Sequence, residues 1–483
     1  MSDVIIAPEM DTPGPGDVSG RGVPPASPGS SSPSRLALGS SVVAFVVFAA
    51  VVLSRSSALL EPDDLAYRAS LVALRHGEVL LTNAQYLALK SSLGLSQGTL
   101  QWHHMATGYW ISEKNPGYPF VAFVFYVLGL LRLAPLFLGA LACTGLYLGV
   151  GRWVSRRAGA LAVWLYCFSG AALTFAWRAT MPSFTDASLI AAGFGALVWT
   201  LLAVEASARR RHWVGLASFV LIELAVFIRY TDVIELAVAV VAVALLARGA
   251  RLRRSALVSW GVSLVVLAAL VLGFDQWAYG SATSTGYSSG EITFSLSALW
   301  PNLKGMPAHL TSSMPLWLFA GAALVALARR ALRRTTRDLV ETRRDTKVAA
   351  ILAAGWLGLW ALYLCYTWTA NMVSGGRGGG PGGGGGGVTV HVIRFYLPAL
   401  GLVAMLAAWL ISRFWRPAMI AVVTLLVVAS LFSFSSMAGS GAIGAGGGPG
   451  GGPGGPPPSG VTGVVPGAGP GQPPGAGTSP SLR

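Results

Sequence analysis

Apolar and polar residues alternate along this chain in long blocks rather than in a two-faced pattern. The apolar runs span about 16–20 residues, the length of a helix that crosses about 30 Å of hydrocarbon. A helix on the surface of a water-soluble protein would carry polar residues on one face, which would interrupt such runs. The pattern therefore predicts an all-α, polytopic integral membrane protein with about eleven transmembrane helices. The predicted spans are 36–53, 133–150, 158–175, 187–204, 213–227, 233–247, 256–274, 314–328, 348–366, 392–411 and 418–435.

Basic residues are concentrated in every second connection between these spans, as in Arg209-Arg210-Arg211. The chain has 34 Lys and Arg against 19 Asp and Glu, for a formal charge of +15. Cytoplasmic loops of membrane proteins carry such an excess of Lys and Arg. We therefore expect a multi-pass plasma-membrane protein with its amino terminus in the cytoplasm. No basic face with interleaved aromatic residues is present, so we expect membrane lipids as partners and no nucleic acid.

Composition divides the chain into three parts. Residues 1–35 are rich in Pro, Gly and Ser and residues 437–483 in Gly and Pro, which predicts a disordered cytoplasmic amino terminus and a disordered extracytoplasmic tail. Residues 36–436 form the predicted membrane domain. Within that domain, the glycine-rich stretch 375–387 lacks the strand-then-helix context of a phosphate-binding loop, so we interpret it as a flexible insert.

The first extracytoplasmic loop, residues 54–118, is the longest polar interval between apolar segments. Within it, residues 65–74 and 85–93 have helical spacing with mixed polarity, which predicts short helices lying along the membrane interface. Residues 120–131, just after the loop, are apolar but too short for a full span, so we expect a surface or re-entrant helix there.

This loop also concentrates charge in a chain of which only 11% is charged. It contains Glu61-Pro62-Asp63-Asp64 near its start and closes with Glu113-Lys114-Asn115-Pro116-Gly117-Tyr118. Ionisable groups at the bilayer edge are costly and usually face a cavity or a partner. Basic groups beside carboxylates suit an anionic ligand such as a phosphate, and leave a carboxylate to act as a base. Further ionisable residues predicted at the same membrane level are Arg178, Asp186, Arg229, Asp232 and Arg394.

Plainer interpretations exist for several of these residues. Acids at the end of a span, such as Asp63 and Asp64, can simply be solvated. Arg229 and Asp232 lie at one helix turn, and for them we favour a structural ion pair. The pair His103-His104 lacks the spacing of a metal site, and we interpret it as a polar pair on an interfacial segment.

The two charged stretches resemble motifs of membrane glycosyltransferases of the C-type fold. That group includes the aminoarabinose transferases of lipid A and the protein O-mannosyltransferases. Glu61-Pro62-Asp63-Asp64, with Tyr67 following, is similar to the first-loop motif, which carries the catalytic base. Glu113-Lys114-Asn115-Pro116-Gly117-Tyr118 is similar to the second motif, although Asn115 stands where a proline is common.

The resemblance extends over residues 36–411. Arg178 with Asp186 is similar to an Arg…Asp element of the family, and Arg394-Phe395-Tyr396-Leu397-Pro398 is similar to its Arg-Tyr-x-x-Pro start of a late span. Each motif is short, and their common order, spacing and membrane side carry the resemblance.

The resemblance implies a transferase that moves a hexosyl or pentosyl group from a polyprenyl-phosphate donor to a hydroxyl of a lipid, protein or polysaccharide acceptor. Transfer would take place at the extracytoplasmic face, with inversion at the anomeric carbon. No cofactor is implied other than a divalent metal ion, which is left open. The implied roles are catalysis by Asp63 and Asp64, donor-phosphate binding by Lys114, Arg178 and Arg394, substrate binding by Tyr67, Tyr118 and Asp186, and metal binding by Glu113.

A secondary transporter or flippase for a lipid-linked or small anionic substrate is the alternative. Such carriers have broken helices and polar residues near the middle of the bilayer, often in repeated halves. Here the ionisable residues fall mainly at span ends on one side, and the sequence contains no evident repeat. The long polar first loop also suits an enzyme better, so we favour the glycosyltransferase.

Overall fold

The computed structural model describes residues 32–56, 62–94, 100–105, 107–247, 250–287, 292–333, 339–374 and 386–440. The predictions for the amino-terminal segment up to residue 31, for Glu61, for the glycine-rich stretch up to residue 385 and for the tail from residue 441 fall outside these residues.

The described part of the chain contains eighteen α-helices, four short 3₁₀-helices and one short hairpin. The strands β1 (Trp102–His104) and β2 (Trp110–Ser112) pair antiparallel, with His103 opposite Ile111. The all-α prediction is confirmed, and β1 and β2 are the only two β-strands in the described residues. The helices are α1 (Ser32–Leu53), α2 (Pro62–Arg75), α3 (Asn83–Ser92), α4 (Gly117–Val127), α5 (Ala134–Trp153), α6 (Arg156–Cys167), α7 (Gly170–Trp177), α8 (Ser183–Leu202), α9 (Ala208–Ile228), α10 (Val233–Leu246), α11 (Ala250–Tyr279), α12 (Leu299–Ser313), α13 (Leu316–Leu332), α14 (Leu339–Leu364), α15 (Thr367–Val373), α16 (Gly386–Ile393), α17 (Leu400–Ile411) and α18 (Arg416–Ser440).

The multi-pass membrane architecture is confirmed, but the count of eleven spans is not. Among the described residues, seven helices are long and apolar enough to cross a membrane, or up to nine if each of two bent pairs forms one span. The chain bends by 59° between α6 and α7. It bends by 107° between the helical segment Leu296–Ser313, which includes α12, and the helix α13. Two predicted spans are shorter than expected, because α10 has 14 residues and α17 has 12. Apolar run length alone did not reveal these breaks.

Helices α5 and α8 pack with their backbones in direct contact, because glycines line the interface. A Cβ on Gly149 would lie 2.5 Å from the carbonyl oxygen of Gly195, and a Cβ on Gly195 would lie 2.2 Å from the carbonyl carbon of Gly145. Gly145 and Gly149 are four residues apart and share one face of α5, an arrangement that lets membrane helices approach closely. This contact makes α8 a central helix of the bundle, and its first turns reach the candidate site.

The first loop folds into the two short helices that the sequence predicts. They are α2 and α3, and the second begins with a capping box in which Thr82 and Gln85 exchange hydrogen bonds with each other's backbone N–H groups. The hairpin packs beside them, with the Tyr86 ring stacked on Trp110 at 4.0 Å between centroids. The loop therefore has a small apolar core of its own, and it covers one end of the bundle.

At the end of the bundle where α5 and α8 finish, Asp345 of α14 joins several helices. Trp153 Nε1 and Trp409 Nε1 donate to its two oxygens at 3.0 and 3.1 Å. Arg413 Nη2 lies 3.3 Å from the same carboxylate and Arg330 Nη1 lies 3.5 Å from it. The Asp345 side chain is only 2% exposed, so this cluster fixes α5, α14 and α17 to one another among the arginine-rich connections.

Candidate functional site

Asp63 lies in the first turn of α2, between two cationic side chains. Its Oδ1 is 3.0 Å from Lys114 Nζ and its Oδ2 is 2.5 Å from Arg394 Nη1. The α2 helix begins at Pro62, and an acid in the first turn also lies at the positive end of the helix dipole. The Asp63 side chain keeps 16% exposure, so its carboxylate can be reached from the site. Three residues that are widely separated in the sequence therefore meet at one carboxylate.

The turn that carries Lys114 is attached to the end of α9. Asn115 Nδ2 donates to the carbonyl of Ile228 at 3.3 Å. A Cβ on Gly117 would lie 2.3 Å from the carbonyl oxygen of Phe227, so a larger residue would push the turn away from α9. Asn115, in place of the more common proline, thus provides a hydrogen bond that holds the Lys114 turn against the end of α9.

Arg394 follows α16 and is oriented by aromatic rings. Its guanidinium carbon lies 5.3 Å from the centre of the Trp368 ring and 4.8 Å from that of Phe395, within the range of cation–π attraction. Its backbone carbonyl accepts a hydrogen bond from Arg229 Nη1 at 3.0 Å. These contacts hold the Arg394 side chain beside Asp63.

Asp64 has a different environment from its neighbour. Arg178 Nη2 donates to Asp64 Oδ2, and Thr180 Oγ1 donates to Asp64 Oδ1 at 2.9 Å. Both members of the Arg178–Asp64 ion pair have 0% exposed side chains. The predicted catalytic role of Asp64 and phosphate-binding role of Arg178 stay predictions, and the burial of both side chains favours a structural ion pair. The pair fastens α2 to the end of α7.

Asp186 is also buried, within a cluster of acids around Arg229. Arg229 Nε lies 3.2 Å from Asp186 Oδ2, so the predicted pairing of Arg229 with Asp232 is wrong about the partner. Asp232 and Glu235 are fully buried as well, and burial, with Asp186 close by, raises the pKa of Asp232 well above its ordinary range. One arginine therefore faces three buried carboxylates. The predicted contact of Asp186 with substrate stays a prediction, and its burial favours a structural role.

The two predicted substrate-binding tyrosines pack against each other. The rings of Tyr67 and Tyr118 meet edge to face, with 5.4 Å between their centres. The Tyr118 hydroxyl donates to the carbonyl of Ala179 and its side chain is buried, so Tyr118 is a packing residue here. Burial raises the pKa of Tyr67, and neighbouring Tyr287 acts in the same direction. Tyr67 therefore forms the buried floor of the site and keeps its proton.

Glu113, the predicted metal ligand, is half-buried next to Lys114, and its backbone N–H donates to the carbonyl of Gln101 at 3.0 Å. In the described ranges, no group of three or more His, Cys, Asp or Glu side chains is arranged to hold a metal ion. His103 and His104 are exposed on β1, as expected of a polar pair. Metal binding by Glu113 therefore stays a prediction.

Tyr287 is a residue of the site that the sequence analysis missed. Lys114 Nζ donates to the Tyr287 hydroxyl at 3.2 Å and lies 4.8 Å from the centre of its ring. The only available signal was its position in the second long polar loop, predicted on the same membrane side as Asp63. A contact across 173 residues of chain is set by the fold and leaves no local pattern.

Lys114 also lines an apolar cleft with about 370 Å³ of empty space, part of it open to solvent. The walls come from α2, the hairpin, α4 and the end of α11. Phe120 of α4 is 44% exposed and most residues of α11 between 256 and 279 are exposed or half-buried, so the cleft lies next to a surface suited to lipid. The apolar side chains that line it include Leu74, Val79, Ile111, Phe120 and Phe274.

Solved structures with similar folds were found, whereas no protein-family model and no curated protein sequence matches the chain. The apo oligosaccharyltransferase of Archaeoglobus fulgidus matches at a TM-score of 0.48 and 12% identity, over 84% of this chain and 56% of that one. ArnT from Cupriavidus metallidurans in its apo state matches at a TM-score of 0.47 and 12% identity, over 85% of this chain and 75% of that one. The structure of the same protein bound to undecaprenyl phosphate matches at a TM-score of 0.45 and 15% identity, over 85% of this chain and 64% of that one.

These proteins are glycosyltransferases of the C-type fold, the class that the sequence motifs resemble. The chain spans less than two thirds of the length of the oligosaccharyltransferase, which has the highest TM-score of the three. All three TM-scores lie below 0.5, so the likeness by itself says nothing about the chemistry of this chain.

Proposed function

We propose that this protein is a membrane glycosyltransferase that moves a sugar from a polyprenyl-phosphate donor to a hydroxyl group of an acceptor. The observation that carries the proposal is a partly exposed carboxylate, Asp63, held between Arg394 and Lys114, the second of which also lines an apolar cleft. A cationic pair suits a phosphate, an apolar cleft suits a lipid chain, and a carboxylate suits the removal of a hydroxyl proton. One ligand with a lipid tail, a phosphate and a reactive carbon would use all three.

The ion pairs of Asp63 also explain how donor binding would prepare the base. Without a ligand, Lys114 and Arg394 each direct an N–H group at the Asp63 carboxylate. A donor phosphate beside them would compete for those N–H groups, because charge-assisted hydrogen bonds to phosphate are strong. The Asp63 carboxylate would then be left free to accept a proton only when the donor is in place.

The chemical step is a displacement at the anomeric carbon. The acceptor oxygen gives its proton to Asp63 and attacks the anomeric carbon from the face opposite the phosphate. The new oxygen–carbon bond forms as the carbon–oxygen bond to the phosphate breaks, so the configuration inverts. Lys114 and Arg394 stabilise the negative charge that develops on the departing lipid phosphate.

The extracytoplasmic side is the side on which we propose that transfer takes place. Asp186, in the first turn of α8, is paired with Arg229, whose N–H also reaches the backbone of Arg394. The opposite end of α8 lies by Arg152, which donates to the carbonyl of Leu202 at 3.4 Å. The arginine-rich connections gather at that far end, which the positive-inside rule assigns to the cytoplasm.

A substitution at Asp63 tests the proposal directly. Proteoliposomes containing the full chain would be supplied with radiolabelled polyprenyl-phosphate sugars, and transfer to lipid and protein fractions would be counted. Asp63→Asn should reduce transfer by at least about 100-fold, the usual contribution of a general base, while undecaprenyl phosphate still binds. Glu205→Gln, at an exposed ion pair with Arg152, is the control that should keep wild-type transfer. Transfer by Asp63→Asn at the wild-type rate would refute this assignment of the base.

The transporter alternative is favoured by one observation, the buried cluster of Asp186, Asp232 and Glu235. Buried carboxylates in membrane proteins often carry coupling protons. Their position around Arg229, next to the Asp63 site, fits a structural role equally well. Uptake of a lipid-linked or small anionic solute driven by a proton gradient, and abolished by Asp232→Asn, would support a carrier and count against the transferase.

A further inference from the structure

The segment 280–287, which follows α11, rests directly on the turn that carries Lys114. A Cβ on Gly286 would lie 2.5 Å from the Cα of Glu113, a distance that real side chains do not tolerate. The Tyr279 hydroxyl, at the end of α11, donates to the carbonyl of Ser112 at 3.2 Å. The two backbones can therefore approach only because residue 286 is glycine.

This approach brings Tyr287 to the ammonium group of Lys114. The Lys114 ammonium carries three N–H groups, of which one reaches Asp63 at 3.0 Å and another reaches the Tyr287 hydroxyl at 3.2 Å. The hydroxyl accepts the hydrogen bond from Lys114 and therefore still has its own O–H to donate. Burial raises the pKa of Tyr287, and nearby Asp63 acts in the same direction, so the hydroxyl stays protonated at neutral pH.

We propose that Tyr287 is a phosphate-positioning residue whose O–H donates to an oxygen of the lipid-linked phosphate that binds at Lys114 and Arg394. The inference rests on the proposed function, and it adds a third donor to that site. The three donors come from the turn before α4, the segment after α16 and the segment after α11. Donors from three directions would fix the phosphate in position as well as bind it, which two flexible cationic side chains alone do less well.

Binding of two lipids that differ only in the phosphate tests this inference. Undecaprenyl phosphate and undecaprenol would be titrated onto the full chain in lipid nanodiscs and followed by native mass spectrometry. Tyr287→Phe keeps the ring and removes only the hydroxyl, so it should weaken binding of undecaprenyl phosphate about tenfold or more, the usual effect of losing a hydrogen bond to a charged group. Its binding of undecaprenol should equal that of the wild type, because that lipid has no phosphate.

Gly286→Ala provides a second variant, which removes no polar group of the site but shifts the segment that carries Tyr287. Its Cβ would push the segment off Glu113, so it should also weaken binding of undecaprenyl phosphate selectively. Gly261→Ala is the matched control, because no atom lies within 4 Å of the Cβ position on that α11 residue. This control should bind both lipids as the wild type does.

The possible outcomes separate this inference from the proposed function. If the wild type binds undecaprenyl phosphate and Tyr287→Phe binds it equally well, Tyr287 does not position the phosphate and the transferase proposal is untouched. If Tyr287→Phe weakens binding of both lipids alike, the tyrosine is only structural. If the wild type does not prefer undecaprenyl phosphate to undecaprenol, both proposals fail.

Discussion

Replacement of Asp64 tests whether two neighbouring aspartates have different tasks. Asp64→Asn keeps the size of the side chain and removes its charge, leaving Arg178 without an anionic partner. Both side chains of this pair have 0% exposure, whereas that of Asp63 keeps 16%. Removing one partner of a buried ion pair costs about 3–5 kcal/mol, because a charge is left unpaired away from water. We expect Asp64→Asn to lower the free energy of unfolding by about this amount, and Asp63→Asn to lower it less.

A double-mutant cycle isolates the pair. Arg178→Met removes the charge that Asp64→Asn strands, so the double variant should be more stable than Asp64→Asn alone. The free energy of unfolding can be measured by titration with sodium dodecyl sulfate in mixed micelles, followed by tryptophan fluorescence. The 16 tryptophans of the chain give this assay a strong signal.

Transfer activity should be affected in the opposite order from stability, with the larger loss in Asp63→Asn. Asp64→Asn that remains folded should keep transfer activity and binding of undecaprenyl phosphate, whereas Asp63→Asn should lose transfer. Wild-type stability of Asp64→Asn, or an absence of coupling with Arg178→Met, would mean that the buried pair does not exist. A stable Asp64→Asn that lost transfer would make Asp64 the base in place of Asp63.

Two further predictions concern the supports of the site and of the bundle. Gly117→Ala should cost about 1–3 kcal/mol in stability and weaken binding of undecaprenyl phosphate, because its Cβ would meet the carbonyl of Phe227. Gly321→Ala, which has open space around its Cβ position, should change neither quantity. Asp345→Asn should cost about 1.5–3 kcal/mol in the same unfolding assay, because the buried indole N–H groups of Trp153 and Trp409 lose their charged acceptor. The exposed ion pair of Glu205 with Arg152 serves as the control, since Glu205→Gln should cost less than about 1 kcal/mol. Equal losses of stability in the two variants would show that the Asp345 cluster does not hold the helices together.

The sequence by itself determined the class of this protein. Runs of apolar residues can be stable as helices in a bilayer because each helix satisfies its own backbone, so length and composition suffice to predict a multi-pass helical protein. The helices α2 and α3 were equally predictable, since helical spacing and the Thr82 capping box are local features. The sequence also put Asp63, Lys114 and Arg394 on one membrane side, because charge patterning reports topology.

Only the tertiary structure decided which of these charges meet. Neighbouring residues on a helix point about 100° apart, so one turn of α2 directs Asp63 to Lys114 and Asp64 into the bundle at Arg178. No local pattern could tell the two acids apart, because the choice depends on where other segments pack against α2. Tyr287 was invisible for the same reason: its place beside Lys114 depends on a close backbone contact at Gly286, which exists only in the folded chain.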